Sequence, residues 1–252
     1  MNTKKASGFT LIELLVVVAV IAVLAALALP VLAGSANKAK LASEVSAGKA
    51  VTAALQMYAA DNNGDVLPGF VDPAKVNQSV ADKDGKAIGG EPAKRYPWRL
   101  APYLGYEVNK AFLASGQDIL NNDLIYTVSA IPSLGMNTVS LGGDEGKARS
   151  NPFNPRFSAA FLREGGVRKM AQVARPAQMI AFVSASSPKF MGSEPQPGHF
   201  RVEYPAVNVD FRHAGDKALV VFVDGHTELL DREQLNNERL WKNLPEPNYA
   251  MQ

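Results

Sequence analysis

A long apolar run near the N-terminus constrains this chain more than any other feature. Between Leu14 and Ala33, no side chain is charged or able to form hydrogen bonds. About 20 residues at a helical rise of 1.5 Å extend roughly 30 Å, the thickness of a bilayer's hydrocarbon core. The sequence therefore predicts a membrane-spanning helix. Lys4 and Lys5 precede it and predict a cytoplasmic N-terminus with an exported C-terminus.

Composition and charge exclude several classes of function. The formal net charge of +2 is too small to indicate nucleic-acid binding, and no basic patch with interleaved aromatic residues accompanies it. The absence of cysteine excludes disulfides, thiolate metal ligands and cysteine nucleophiles. No phosphate-binding loop or nucleophile motif is present, so we predict that the protein is not an enzyme and needs no cofactor.

Glu13 places a carboxylate at the mouth of the apolar helix, where its burial requires a partner. It ends the segment GFTLIE at residues 8–13. This segment resembles the processing site of type IV prepilins and type II secretion pseudopilins. The resemblance implies that prepilin peptidase cuts after Gly8 and methylates the amino group of Phe9. It also implies that Glu13 acts in assembly and that Pro30 is the helix-bending proline of pilins.

The chemistry of the segment agrees with this resemblance. Cleavage would create a cationic amine at Phe9, one helical turn from Glu13, and the two charges can pair in apolar surroundings. In a filament, the amine of an incoming subunit would meet Glu13 of its predecessor. The implied partners are prepilin peptidase, other pilin or pseudopilin subunits and the inner membrane, and no nucleic acid.

Two functions follow as hypotheses. In the first, the chain is a subunit of a type IV pilus or of a filament like the type II secretion pseudopilus. In the second, the pilin segment only exports and anchors an extracytoplasmic binding or metal-dependent domain. An ordinary signal peptide, cleaved before Gly34, is a further alternative for the N-terminus, although the apolar run is long for one and has an acid near its start.

The predicted fold class is α+β. A long bent N-terminal helix, transmembrane and then amphipathic, packs on an antiparallel β-sheet, with long loops and a C-terminal helix. The predicted divisions are a leader at 1–8, a transmembrane assembly helix at 9–33, the amphipathic half of the helix at 34–60 and an exported head at 61–252. The chain is predicted to be a single-pass inner-membrane protein with an extracytoplasmic C-terminus. After assembly into a filament it would be extracellular.

The amphipathic half shows helical periodicity. Its apolar positions are Leu41, Val45, Val51, Leu55 and Tyr58. Gly48 lies on the same face and predicts the close approach of another element. Glu44 and Gln56 are assigned to the remaining, polar surface. The helix is predicted to end near Ala60.

The end of this helix has the spacing of a calcium-binding loop. Asp61, Asn63, Asp65 and Asp72 occupy loop positions 1, 3, 5 and 12. However, Val66 stands where an EF-hand needs glycine, and Asp72 replaces the bidentate glutamate. A simple helix stop, made of turn-forming residues, is therefore favoured over a calcium site.

The remaining segments predict the elements of the head. An aromatic cluster at 95–104 predicts a short helix packed on the long one. Strands are predicted at 179–183, 207–212, 218–223 and 226–230, with a hairpin turn at Asp224-Gly225. Asp231 is the predicted cap of one final helix at 232–243.

One constellation in the head invites a functional interpretation. Arg212-His213 and Asp224-Gly225-His226 resemble the His-spacer-Asp-Gly signature of a pseudopilin-like group whose C-terminal domain has no known function. Two imidazoles and a carboxylate also suit a metal site or acid–base catalysis. A structural role is favoured. The geometry of a hairpin turn already explains Asp224-Gly225, and His213 at a strand end can form hydrogen bonds to buried backbone carbonyls.

Overall fold

The computed structural model of the protein describes residues 11–71, 80–113, 123–145, 159–187 and 198–244. The predicted leader, Gly8 and Phe9 lie outside these residues. The chain divides into two units, Met1–Lys40 and Leu41–Gln252, and each is described by itself.

Helix α1 spans Leu11–Asp61, so its C-terminal boundary agrees with the prediction from the sequence. In the first unit, the large apolar side chains from Leu11 to Leu24 are 46% to 78% exposed. Within the described part of the chain, no helix is both long and apolar enough to cross a membrane. Side chains 27–33, including Pro30, lie outside the description, and the bend predicted there stays a prediction.

Among its described residues, the second unit contains the strands, seven further short α-helices and three short 3-10 helices. The strands are β1 (Phe70–Val71), β2 (Leu134–Met136), β3 (Asp144–Glu145), β4 (Ile180–Ser184), β5 (Ala218–Phe222) and β6 (Thr227–Leu230). The helices are α2 (Gly90–Lys94), α3 (Tyr96–Leu100), α4 (Val108–Phe112), α5 (Leu124–Ala130), α6 (Ala159–Arg163), α7 (Arg232–Leu235) and α8 (Glu238–Trp241).

The main sheet has four strands in the order β2-β4-β5-β6, and every neighbouring pair is antiparallel, which confirms the predicted α+β class. The short strands β1 and β3 pair separately and in parallel. The register of β4 on β5 shifts between Ile180 and Phe182, as in a β-bulge.

Both faces of this sheet are covered, and therefore β5 is buried at all five positions. Leu219 and Val221 belong to a core that contains Val51 and Leu55 of α1. Val220 belongs to a second core on the other face, beneath the segment 202–211 and the helices α7 and α8. The sequence of a strand buried on both faces is a continuous apolar run rather than an alternation of apolar and polar residues.

Gly48 is a point of close approach between α1 and β5. A Cβ atom at Gly48 would lie only 2.6 Å from Cγ2 of Val221, closer than side-chain carbons can approach. The predicted close approach at this glycine is therefore confirmed.

The predicted strand at 207–212 is wrong. Val207 and Val209 form only isolated bridges, to Glu203 and Ala185. Asn208 lies between them with a φ of 60°, which is incompatible with a continuous strand. The apolar alternation at Val209 and Phe211 instead serves packing against the second core.

The predicted single helix at 232–243 is also wrong in part. Asp231 does cap α7, since its carboxylate accepts a hydrogen bond from the Gln234 backbone N–H at 2.9 Å. The helix ends at Leu235, however, and Asn237 caps the separate helix α8. Two adjacent asparagines at 236 and 237 favour this interruption, because their side chains compete with helical hydrogen bonds.

The aromatic cluster forms helix α3, as predicted, and Tyr96 and Trp98 are buried in the same core as α1. The Tyr96 hydroxyl donates to the backbone oxygen of Leu134, which links α3 to β2. Core packing therefore accounts for this cluster.

Candidate functional site

Glu13 lies in the first turn of α1, with its side chain exposed. A carboxylate in this position interacts favourably with the positive end of the helix dipole. Its predicted partners around the cleavage site lie outside the described residues, and so does the side chain of Pro30. The structure therefore places Glu13 at the start of α1 without showing the predicted assembly contact.

An apolar stripe continues from Glu13 along the first unit. A shallow groove is lined by Leu11, Leu14, Leu15, Val18, Ala19 and Ala22. These positions recur at intervals of three and four residues, so they share one face of the helix. Such a surface is suited to packing against another apolar helix or lipid.

A buried polar cluster joins α1 to the sheet in the second unit. Glu44 is only 1% exposed, and its Oε2 lies 3.0 Å from Nε2 of His213. The other oxygen accepts a hydrogen bond from the Ser184 hydroxyl at 2.9 Å. Sequence periodicity had assigned Glu44 to the polar surface of the helix, and that assignment is wrong.

The hydrogen-bond roles in this cluster follow from its geometry. Ser184 Oγ donates its only proton to Glu44 and accepts from the Leu219 backbone N–H at 3.0 Å. The His213 Nε2 atom faces two acceptors, the Glu44 carboxylate and the Ser184 oxygen at 3.5 Å, so Nε2 carries a proton.

This arrangement of serine, histidine and glutamate is not a catalytic triad. A triad needs the carboxylate on one imidazole nitrogen and the serine on the other. Here, Glu44 and Ser184 both face Nε2 of His213, and Ser184 is fully buried. The cluster therefore serves to fix α1 on the sheet.

Arg212, beside His213, binds the ends of two strands. Its guanidinium donates to the backbone oxygens of Ser133 and Ala185, which flank β2 and β4, and its Nε lies 3.2 Å from Asp210. The Arg212-His213 pair thus ties the turn before β5 to α1 and to the neighbouring strands.

A second polar contact holds α1 at the other end of β5. The Gln56 side-chain amide donates to the backbone oxygen of Val223 at 2.8 Å. Glu44 and Gln56 are twelve positions apart, about 18 Å along the helix axis. Together with Gly48 between them, these contacts set both the register and the rotation of α1 on β5.

Asp224, Gly225 and His226 form the hairpin between β5 and β6, as predicted. Gly225 has a φ of 91°, and its N–H donates to Phe222. Asp224 Oδ1 lies 2.6 Å from Nδ1 of His226. Burial raises the pKa of Asp224, but hydrogen bonds from the His226 ring and backbone outweigh it, so the net pKa is lowered.

The structure does not bring His213 and Asp224 together. They lie beyond opposite ends of β5, so at least the strand's length of roughly 13 Å lies between them. Among the residues that the structure describes, no group of three or more acidic or histidine side chains can hold a metal ion. The signature seen in the sequence thus divides into two structural sites, the cluster on α1 and the hairpin turn.

The helix-stop interpretation at the end of α1 is confirmed. Asn63 and Gly64 both have positive φ, and the Gly64 N–H closes the helix on Ala59 at 2.7 Å. Lys169 Nζ donates to the Asn63 backbone oxygen at 2.8 Å and lies 3.3 Å from Asp65 Oδ1. An ammonium group thus contacts the Asp65 carboxylate that a calcium ion would need. Asp72 lies outside the described residues.

Sequence reasoning also missed a buried charged cluster near β3. Arg201 forms an ion pair with Asp144, and both side chains are almost fully buried. Arg95 packs over the ring of Phe200 at 5.0 Å. Burial, together with the charges of Arg201 and Arg95, lowers the pKa of His199. No sequence pattern links these residues, because they come from separate segments of the head.

The comparisons with known proteins concern the N-terminus. The family model described as the prokaryotic N-terminal methylation motif matches residues 3–29. No curated protein and no solved structure gave a significant match, so the C-terminal signature gains no support from them. Residues 3–29 thus support a type IV pilin-like segment in a membrane-anchored, prepilin-like subunit that prepilin peptidase processes.

Proposed function

We propose that the protein is a filament subunit of a type IV pilus or of an assembly like the type II secretion pseudopilus. In this proposal, the chain is cut between Gly8 and Phe9, methylated on Phe9 and assembled through Glu13. The observation that carries the proposal is the methylation motif at residues 3–29, which includes the exposed apolar part of α1 from Leu11 to Leu24.

The exposed apolar side chains of α1 support this proposal physically. A contiguous apolar surface of this kind is unfavourable in water and marks a membrane or protein interface. The bilayer would cover it before assembly, and the helices of other subunits would cover it afterwards. Lys4 and Lys5 would keep the leader in the cytoplasm, leaving the C-terminal head outside the inner membrane.

Glu13 supplies the specificity that apolar packing lacks. A carboxylate in apolar surroundings is stabilised only when it is paired. The amine created at Phe9 is a suitable partner, either within the subunit or in its neighbour. Pairing between neighbours would fix the axial register of the helices and reject other spacings, because a misplaced subunit leaves two unpaired charges.

The processing step can be tested by intact mass and N-terminal sequencing of the protein from its native membrane. A chain that begins at Phe9 and carries one additional methyl group is the expected result. A chain that begins at Gly34 would instead identify an ordinary signal peptide and refute the proposal.

The assembly step can be tested with Glu13→Ala, using Glu233→Ala as the matched control. Glu233 is an exposed carboxylate on α7 of the head. We expect Glu13→Ala to be processed and membrane-bound but lost from sheared or cross-linked filaments, whereas the control assembles normally. Normal assembly of Glu13→Ala would contradict a role for this carboxylate.

The second hypothesis, an anchored extracytoplasmic binding or metal-dependent domain, makes the opposite prediction. Glu13→Ala would then leave the function of the head intact, because anchoring needs only the apolar helix. A cleft with ligand-sized dimensions opens among the described residues of the head, which is why this hypothesis is retained.

A further inference from the structure

A cleft of about 320 Å³ opens on the head, within the size range of ligand sites. It lies between α3, the start of α4, the start of α5 and the turn that follows Ala81. The lining residues are Asp82, Lys83, Asp84, Trp98, Tyr106, Glu107, Val108, Asn109, Leu124 and Ile125.

Hydrogen bonds hold the walls of the cleft in place. Trp98 Nε1 donates to the backbone oxygen of Ile125 at 2.8 Å, which joins α3 to α5. Asp82 Oδ1 accepts from the backbone N–H groups of Asp84 and Lys86, at 3.0 and 2.9 Å, and closes the turn. The Tyr106 N–H donates to Ala101 at 2.9 Å. The cleft is therefore formed before any ligand arrives.

The chemistry of the cleft is apolar and aromatic within and acidic around the edge. Trp98 and Val108 are buried, whereas Asp84 and Glu107 are exposed. The lining residues carry three carboxylates (Asp82, Asp84 and Glu107) and one ammonium group (Lys83), so their formal charge is −2 (1 − 3). That ammonium, on Lys83, already lies 3.5 Å from Asp84.

We propose that this cleft binds the side chain of an arginine or lysine from a partner polypeptide. Both side chains combine an apolar stem with a cationic head, which matches the apolar walls and the acidic rim. Aromatic faces such as those of Trp98 and Tyr106 also attract cations. An anionic ligand would be repelled, and an uncharged one would lack the charge attraction of the carboxylates. The inference does not depend on filament assembly.

The test is a titration of the full chain in detergent micelles with four small probes. The cationic probes are the N-acetyl methylamides of arginine and lysine, and the controls are those of norleucine and glutamate. Isothermal calorimetry on the unaltered chain measures binding directly, and tryptophan fluorescence reports on Trp98. We expect saturable binding of the cationic probes alone, weakened as added salt screens the rim.

Charge variants locate the binding to this cleft. Glu107→Gln and Asp84→Asn should each weaken binding of the arginine probe by up to about fivefold, the range of an exposed ion pair. Asp216→Asn, which removes an exposed carboxylate from a turn elsewhere, should have no effect. Circular dichroism establishes that each variant is folded.

Three results would overturn the proposal. The first is an absence of saturable binding by either cationic probe, and the second is equal binding of the norleucine probe. The third is binding of the glutamate probe as tight as that of the arginine probe, since this would show that the acidic rim does not select cations.

Discussion

Replacing Glu44 by alanine removes the acceptor at the centre of the contact between α1 and the sheet. The Ser184 hydroxyl and the His213 Nε2–H both lose their carboxylate partner, in a site where Glu44 is 1% and Ser184 is 0% exposed. Because the site is closed to solvent, water cannot readily take the place of the carboxylate. The two donors would therefore remain buried without their strongest partner.

The size of the effect can be worked from these contacts. Each unsatisfied buried donor costs about 1–3 kcal/mol, so the two donors together cost about 2–6 kcal/mol. Alanine favours the helix over glutamate, but by less than about 0.7 kcal/mol. We therefore expect Glu44→Ala to lower the free energy of unfolding by about 2–6 kcal/mol. Glu44→Gln keeps the shape and one acceptor oxygen, so about 1–3 kcal/mol is expected.

The assay is urea unfolding of the full chain in a mild detergent, followed by the fluorescence of Trp98 and Trp241. Both tryptophans are buried in the head, one in each of its two cores. At a slope of roughly 2 kcal/mol per molar urea, the expected loss shifts the midpoint by about 2 M. Lys49→Ala, on the exposed side of α1, is the control and should change stability by less than about 0.5 kcal/mol.

A double-mutant cycle with His213→Ala separates pairing from general loss of packing. If the two side chains interact as the geometry indicates, the cycle should give a coupling energy of about 0.5–3 kcal/mol. A change below about 0.5 kcal/mol for Glu44→Ala, which is the scale of surface substitutions, would refute the reasoning. A coupling of zero would assign any loss of stability to packing alone.

Three further predictions use the same unfolding assay. Gly48→Ala places a Cβ atom 2.6 Å from Val221 and should cost about 1–3 kcal/mol through overpacking. Arg201→Met leaves the buried Asp144 carboxylate without this cation and should cost about 3–5 kcal/mol. The pKa of His199 is lowered by folding, so the unfolded chain binds its proton more readily. Stability should therefore fall as the pH falls below about 6.5, and His199→Gln should reduce this dependence.

Each of these has an outcome that contradicts it. Unchanged stability of Gly48→Ala would mean that α1 and β5 are not in close contact. A neutral Arg201→Met would mean that Asp144 is solvated or protonated. For His199, an identical pH profile in the parent and the variant would assign the loss of stability below about pH 6.5 to other groups. The lowered pKa of Asp224 also makes stability fall with falling pH, but at pH values below the usual carboxylate range.

The sequence by itself determined the features that depend on neighbouring residues. The apolar run after Glu13 and the motif before it identify the class of N-terminal segment, because they act through local length, charge and spacing. The stop at the end of α1, the hairpin at Asp224-Gly225 and the cap at Asp231 were predictable for the same reason. In each case, the turn or cap is formed by side chains within a few residues of one another.

Only the tertiary structure decided where Glu44 lies and what His213 does. Helical periodicity places a carboxylate on the solvent side unless a distant group compensates its burial, and here Ser184 and His213 come from segments 140 or more positions away. The same holds for the segment 207–212, where apolar alternation fits a strand and a covering loop equally well. Whether the segment forms a strand or a covering loop depends on which strand edges and apolar faces the rest of the fold leaves open. The local sequence contains no information about these.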